Sequence, residues 1–451
     1  MGGYKSYHEY KSTDLPWVPE IPAGWHVRKL THAISYQVGF TPESGNAEYY
    51  GDDYLWANIS DLGPKVLANT SKGITEEAIV KYKKRPAKKG SLLYSFKLSV
   101  GQVSFAGQDM FTNEAIASFG GSEHVDLSYF YFLAPIAIIQ NASENIYGAK
   151  ILNQEAIGAA KILVPPMEEQ RKIAEFLDYK TAQVDALIAK KQSLLNKLAE
   201  QRTALISQAV TKGLDPSVAT KDSGAAWLGK IPAHWSTSRV KFVAKVGNGS
   251  TPSRDNPDYW FDGDFPWLNS SVVNREVVDS ADQFVTGVAL KECHLPIIEP
   301  PAVLVGITGQ GKTRGMSSKL TFRATINQHL VYVKPYGDSI NVDYLHHIFE
   351  RAYAYLRNES DAGGSTKGAI TCSQIENLAI PLPPLAEQEQ IVRFVDGDNS
   401  RISRLQKKVK AALQRLQEYR AALITNAVTG KIDVRDFCIP TTTEQREVAH
   451  G

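Results

Sequence analysis

The sequence predicts a duplicated mixed α/β protein. Each of two tandem α+β domains is followed by a long α-helix, and the two helices pack as an antiparallel coiled coil. Three observations carry this. The same landmarks recur at a nearly constant offset, short β-branched and aromatic runs alternate with Gly, Pro and Asn in the first part of each copy, and a heptad seam closes each copy. At 451 residues the chain exceeds one ordinary core.

The duplication is read from paired landmarks. Ile21-Pro22-Ala23-Gly24-Trp25 returns as Ile231-Pro232-Ala233-His234-Trp235, and Thr41-Pro42 with Tyr49-Tyr50 as Thr251-Pro252 with Tyr259-Trp260. Trp56-Ala57-Asn58 matches Trp267-Leu268-Asn269, and Thr112-Asn113-Glu114 matches Ile326-Asn327-Gln328. Pro165-Pro166-Met167-Glu168-Glu169-Gln170 matches Pro383-Pro384-Leu385-Ala386-Glu387-Gln388. The offset grows slowly along the chain, as small loop insertions in the second copy require. Half-chains of this length are paired domains rather than solenoid repeats.

Within the α/β parts, Ser91–Phe96, Val303–Ile307 and Leu330–Val333 read as strands. After each Pro-Pro, apolar residues recur at 4-3-4-3 spacing. The seam of the first helix contains Leu177, Val184, Leu187, Leu194, Leu198 and Leu205; that of the second contains Val395, Ile402, Leu405, Val409, Leu416 and Leu423. Gly213 and Gly430 supply the stops. Lys180, Lys191, Gln201 and Asp398 put polar groups into the seams, where they fix register at a cost in stability. Lys180 and Asp398 hold equivalent places and would meet only in a parallel pair; the pseudo-twofold duplication favours antiparallel helices. The expected domains are 1–165, a helix over 166–212, a linker over 213–224, a second domain over 225–383, a helix over 384–430, and a C-terminal tail over 431–451 that is polar and disordered from Thr441 onward.

Bulk composition narrows the class. Lys+Arg 50 against Asp+Glu 48 leaves a net charge of +2, so any phosphate-binding surface must come from local clustering. Cys293, Cys372 and Cys438 are far apart and lack CxxC spacing, which argues against a disulfide framework or a zinc site and fits a reducing cytoplasm. No apolar run is long enough for a signal peptide or a membrane span, so a cytoplasmic protein with no membrane partner is expected.

An α/β domain, Pro-Pro, a Glu-Gln helix opening, a long heptad helix, and all of it repeated, resembles the specificity subunit of type I restriction–modification enzymes. The resemblance rests on LVPPMEEQRKIAEFLD at 163–178 and IPLPPLAEQEQIVRFVD at 380–396, and on the helix ends ALISQAVTKGLD and ALITNAVTGKID. It covers nearly the whole chain. It implies two target recognition domains reading the halves of a split site in double-stranded DNA. The helices would then be the spacer and the docking surface for two modification (methyltransferase) subunits, and through them for restriction/translocase subunits. It also implies that this chain is not an enzyme and holds no cofactor or metal, with S-adenosylmethionine, ATP and Mg belonging to the partner subunits.

Other motifs compete with that reading. Gly306–Thr313 fits the P-loop pattern GxxxxGK[ST], on which the alternative of a P-loop nucleotide hydrolase with coiled-coil arms rests. The β-like run after it leaves no helix to cradle phosphate. Lys312, Thr313, Arg314, Ser317 and Lys319 are therefore read as belonging to a DNA-facing loop. Asn256-Pro257-Asp258-Tyr259 misses the amino-methyltransferase motif at its third residue. The basic run with Lys81, Lys83, Lys84, Arg85, Lys88 and Lys89, and Lys97 after it, suits phosphate contact or a solvated loop. Asn58 and Asn269 could each read an adenine edge or hold a turn. Trp56, Trp267, Tyr259 and Trp260 read as packing, and His346-His347 as ordinary surface or packing residues of a helix.

Overall fold

The computed structural model describes residues 4–97, 99–144, 150–309, 311–362 and 368–440; the tail over 441–451 lies outside them. The described chain forms two compact units, one built from residues 1–191 with 411–451 and the other from 192–410. Each unit therefore contains one α/β domain, the first half of one long helix and the second half of the other.

In the first unit, strands β1 (Tyr36–Val38), β2 (Val66–Leu67), β3 (Leu92–Ser95), β4 (Val103–Ala106) and β5 (Ile116–Phe119) form a five-stranded sheet in the order β1-β5-β3-β4-β2. All pairs are antiparallel except β2 with β4. The second unit repeats this with β6 (Ala244–Asn248), β7 (Val277–Val278), β8 (Ala302–Gly306), β9 (Ser317–Leu320) and β10 (Leu330–Pro335), in the order β6-β10-β8-β9-β7. Again only the edge pair, β7 with β9, is parallel. Strands β3 and β8 are buried along their whole length, which explains their continuous apolar runs. A small three-stranded sheet in each unit joins the other landmarks: Trp56-Ala57 pairs in parallel with Phe111-Thr112, and Trp267-Leu268 with Thr325-Ile326.

Helix α1 (Leu127–Ala137) and its longer counterpart α3 (Val342–Ala362) pack on these sheets. The long helices are α2 (Met167–Lys212) and α4 (Leu385–Val428). Their starts are built alike. Gln170, fully buried, donates to the Pro165 carbonyl at 2.9 Å and accepts from the Asp126 N–H at 2.8 Å. Gln388 donates to the Pro383 carbonyl at 2.9 Å and accepts from the Asn341 N–H at 2.8 Å. Asp126 and Asn341 in turn cap α1 and α3 by accepting from the first-turn amides. One buried amide thus ties the opening of each long helix to the cap of the helix before it.

The ends are also alike, and crossed. Gly430, which follows α4 with φ +71°, lies against Pro22 and Trp25 of the first copy. Gly213, which follows α2 with φ +74°, lies against Trp235 of the second. Each Ile-Pro-Ala-x-Trp motif therefore packs on the helix end contributed by the other copy.

The helix halves inside each unit run antiparallel. In the first unit Arg420 on α4 grips Asp185 on α2 at 2.8 and 3.1 Å, and Leu423, Ala427 and Val428 share a core with Ile173 and Leu177. In the second, Ile206, Ala209 and Val210 pack with Ile391 and Val395. The parallel meeting of Lys180 and Asp398 is thereby excluded; each is half-buried, the first in one unit and the second in the other. The seam is also corrected at alternate positions. Leu177, Val184, Leu198, Val395, Ile402, Val409 and Leu423 are buried, and Leu205 and Leu416 are half-buried. Leu187, Leu194 and Leu405 are instead 46%, 40% and 42% exposed; Ile188, Leu195 and Gln406, one place further on, turn inward.

Candidate nucleic-acid interface

In the first unit the basic run lies between the short helix Glu76–Tyr82 and β3. Thr75 caps that helix, and Lys83 ends it in the left-handed conformation with φ 49°. Not all of its cations are free. Lys81 donates to the Tyr49 hydroxyl at 2.6 Å and lies over its ring, a hydrogen bond that raises its pKa. Lys88 pairs with Asp109 at 2.7 Å and holds that carboxyl below the ordinary carboxylate range. Among the described residues, Lys83, Lys84, Arg85, Lys89 and Lys97 are exposed and carry no ion pair. Arg85, Lys88 and Lys89 line a concavity of about 680 Å³ with Gln37 and Ser118.

Asn58 lies in a separate groove of about 510 Å³, lined also by Ser60, Ser71, Lys72, Gln102 and Asn113. Its backbone N–H donates to Asp61, so it opens the turn over Ile59–Asp61, while the groove presents donors and acceptors suited to base edges. Sequence reasoning did not single out Lys72 or Gln102. Asn113 was visible only as part of a repeat landmark.

The second unit is differently furnished. Asn269 uses its side-chain oxygen to accept from the Ser271 N–H at 2.9 Å, which commits that atom to a turn. Near the Ile326-Asn327-Gln328 landmark, Thr308 and His329 meet at 2.8 Å, and Thr251 donates to Gln328 at 2.6 Å. Arg254, also missed from sequence, stacks its guanidinium 3.7 Å from the centre of the Trp260 ring and donates to Gln283. Trp56 and Trp267 are core residues whose indole N–H groups reach the Phe40 and Ser250 carbonyls. Tyr259 and Trp260 are likewise held, to Glu292 and to the Ser253 carbonyl.

The loop after β8 departs from expectation. Lys312 is exposed and Thr313 half-buried, but Arg314 is buried and ion-paired with Asp361 at 2.7 Å. Lys319 lies within β9 and donates to Asp343 at 2.8 Å. Ser317 opens the same strand, with its hydroxyl buried. These three therefore leave the DNA-facing set, because the run after Thr313 turns straight into a sheet strand. That geometry also removes the P-loop reading: a turn and β9 follow Lys312-Thr313, and Tyr353 and Arg357 of α3 occupy the loop carbonyls. Of the two readings of His346 and His347, packing rather than surface holds, both being buried on α3.

No helix among the described residues is long and apolar enough to cross a membrane, and the three cysteines are free thiols.

Comparison with known proteins agrees with this architecture. The profile of the type I restriction modification DNA specificity domain matches twice, over residues 22–197 and 232–415. The chain is 24% identical over 449 residues to the StySPI type I restriction enzyme specificity subunit of Salmonella potsdam, covering 92% of this chain and 90% of that one. It is 26% identical over 189 residues to the EcoR124I/EcoR124II specificity subunit of Escherichia coli, a match that spans less than half of either protein. A solved chain from a study of complex assembly and conformational transition of the type I R-M system shares the fold. Its TM-score is 0.69 at 16% identity, covering 91% of this chain and 99% of that chain. With two matched domains that together span most of its length, this chain belongs to the type I restriction–modification specificity subunit family.

Proposed function

We propose that this chain reads a bipartite, asymmetric site in double-stranded DNA, one half with each recognition domain, as the non-catalytic specificity subunit of a methyltransferase and endonuclease complex. The observation that carries this is the pair of units with one strand order and unlike surfaces. The first presents the unpaired cations Lys83, Lys84, Arg85 and Lys89 and, separately, a polar groove around Asn58; the second presents Arg254 and the Thr308–His329 pair. Two scaffolds of one design with different polar furnishing suit two half-sites of different sequence. The free cations contact phosphate, and the grooves read base edges.

The long helices set the gap between half-sites, and their exposed leucines dock two modification subunits, which bring restriction/translocase subunits with them. S-adenosylmethionine, ATP and Mg act on those partners, in the cytoplasm. The test is methylome sequencing of cells expressing the chain with a cognate methyltransferase, with and without residues 225–382 exchanged for those of a relative. A split motif in which one half alone follows the exchange is expected. A short continuous motif, or a change in both halves, overturns the reading.

A further inference from the structure

The interior of the second unit holds a polar cluster that the first unit does without. On α3, His346 and His347 are each 1% exposed, and Glu350 stands one turn further along. The His347 Nδ1 lies 2.8 Å from a Glu350 carboxylate oxygen, and the His346 Nδ1 lies 3.8 Å from the same oxygen. The His346 Nδ1 has no hydrogen-bond partner, an unfavourable state for a buried polar atom. One donor atom from each of the three residues falls within 4.8 Å of the others.

The far sides of both rings are already occupied. The His346 Nε2 faces the Ser317 carbonyl at 3.3 Å, and the His347 Nε2 faces Asp396 of α4 at 3.1 Å. The Ser317 carbonyl fixes the His346 proton on Nε2 and leaves its Nδ1 lone pair free. His347 donates to a carboxylate from each nitrogen, so a cation at its Nδ1 takes the place of the proton shared with Glu350. A carboxylate or carbonyl behind a histidine is the usual outer support of a metal-ligating imidazole. The other Glu350 oxygen is steadied by Arg202 at 3.2 Å.

The duplication supplies an internal control. Tyr344 donates its hydroxyl to the Val210 and Pro381 carbonyls, as Tyr129 does to Val428 and Leu163, so α3 and α1 are in register at these tyrosines. Counting onward, His346, His347 and Glu350 correspond to Tyr131, Phe132 and Pro135. The fold closes the same place in the first unit with side chains that ligate nothing, so the packing itself does not demand the cluster. The expectation of no metal rested on cysteine spacing and on the family resemblance, with these histidines read as surface or packing residues.

We propose that His346, His347 and Glu350 form a binding site for a divalent cation of the Zn²⁺ class, held by the two Nδ1 atoms and one carboxylate oxygen. Two imidazoles and a carboxylate are a donor set for borderline first-row ions rather than for Mg²⁺ or Ca²⁺. A cavity of about 700 Å³ lined by Glu350, Ser317 and Arg202 gives the ion a path and leaves room for water on its remaining position. Bound there, the ion fastens α3 of the recognition domain to α4 through His347 and Asp396.

The test uses the full chain, stripped with a chelator and titrated with CoCl₂, with visible absorption as the readout and ZnCl₂ as competitor. One equivalent of Co²⁺ with a ligand-field band that Zn²⁺ abolishes is expected. His346→Tyr, which installs the first copy's residue, and Glu350→Gln should each weaken binding at least tenfold while the circular dichroism spectrum is retained. Binding of under about a tenth of an equivalent, or affinity unchanged in a folded variant, overturns the site. If neither variant folds, X-ray absorption of the Zn²⁺-loaded wild type decides. Two imidazole nitrogens support the assignment; sulfur ligands from the free cysteines, or oxygen alone, overturn it.

Discussion

Gln170 and Gln388 show how much one side chain can hold together. Each satisfies a proline carbonyl ahead of a long helix and the backbone N–H of the residue capping another helix, at a site closed to water. Gln388→Leu keeps the size but strands both backbone groups, and a destabilisation of about 2–4 kcal/mol is expected from two uncompensated polar groups, read as a lower denaturation midpoint at constant slope. The repeat made the Glu-Gln pair visible in sequence, yet its role was not, because the partner that ties the amide to another helix, Asp126 or Asn341, is more than forty residues away. The basic run illustrates the opposite limit. Its charges were plain in sequence, while the diversion of Lys81 to Tyr49 and of Lys88 to Asp109 depends on tertiary neighbours. Replacing Lys83, Lys84 and Lys89 with Ser should leave folding intact and flatten the salt dependence of DNA affinity, by about 0.9 in log–log slope for each phosphate no longer neutralised. An unchanged slope would show that this face is not against DNA.

At the scale of elements, heptad periodicity located α2 and α4, and the duplication favoured their antiparallel pairing, but the periodicity placed alternate seam residues one position too early. The inward positions on α2 run Leu177, Thr181, Val184, Ile188, Lys191, Leu195 and Leu198, so the leucines at 187 and 194 fall outside the stripe. Pattern alone cannot tell two adjacent apolar residues apart when both Leu187 and Ile188, or Leu194 and Leu195, are present; the partner helix decides. The displaced leucines form an apolar row on the outer face, which polar solvent alone does not explain. Leu187→Glu with Leu194→Glu should change the melting temperature of the isolated chain by no more than a few degrees and reduce co-purification of the methyltransferase severalfold. Unaltered co-purification would place the docking surface elsewhere. The loop after β8 failed for a different reason: a sequence rich in Gly, Lys, Thr and Arg reads as exposed, but α3 folds over it and claims Arg314 for Asp361.

At the scale of the whole molecule, the duplication was the most legible feature, and it survives as two sheets of identical strand order. What sequence did not reveal is that each unit is completed by a helix end from the opposite copy. The junction that follows α2 is covalent: Gly213 packs at Trp235 and the chain runs on into the hairpin of Thr220–Asp222 with Lys230–Pro232. The packing that follows α4 is equivalent in form. Gly430 packs at Pro22 and Trp25, the Asp433 N–H donates to the Lys5 carbonyl at 2.7 Å, and the matching hairpin joins Tyr10–Ser12 to Glu20–Pro22. Each unit thus closes its core with a helix end from the opposite copy, and the two closures are alike in form. Joining Pro440 to Tyr4 through a short flexible linker and reopening the chain between Leu214 and Ala219 should yield a protein that melts cooperatively and directs the same methylation motif with its halves unchanged. Failure to fold would mean that the order of synthesis matters in a way the finished packing does not preserve. Because each core borrows the helix end of the opposite copy, damage to one repeat's helix end registers in the stability of the other repeat's domain.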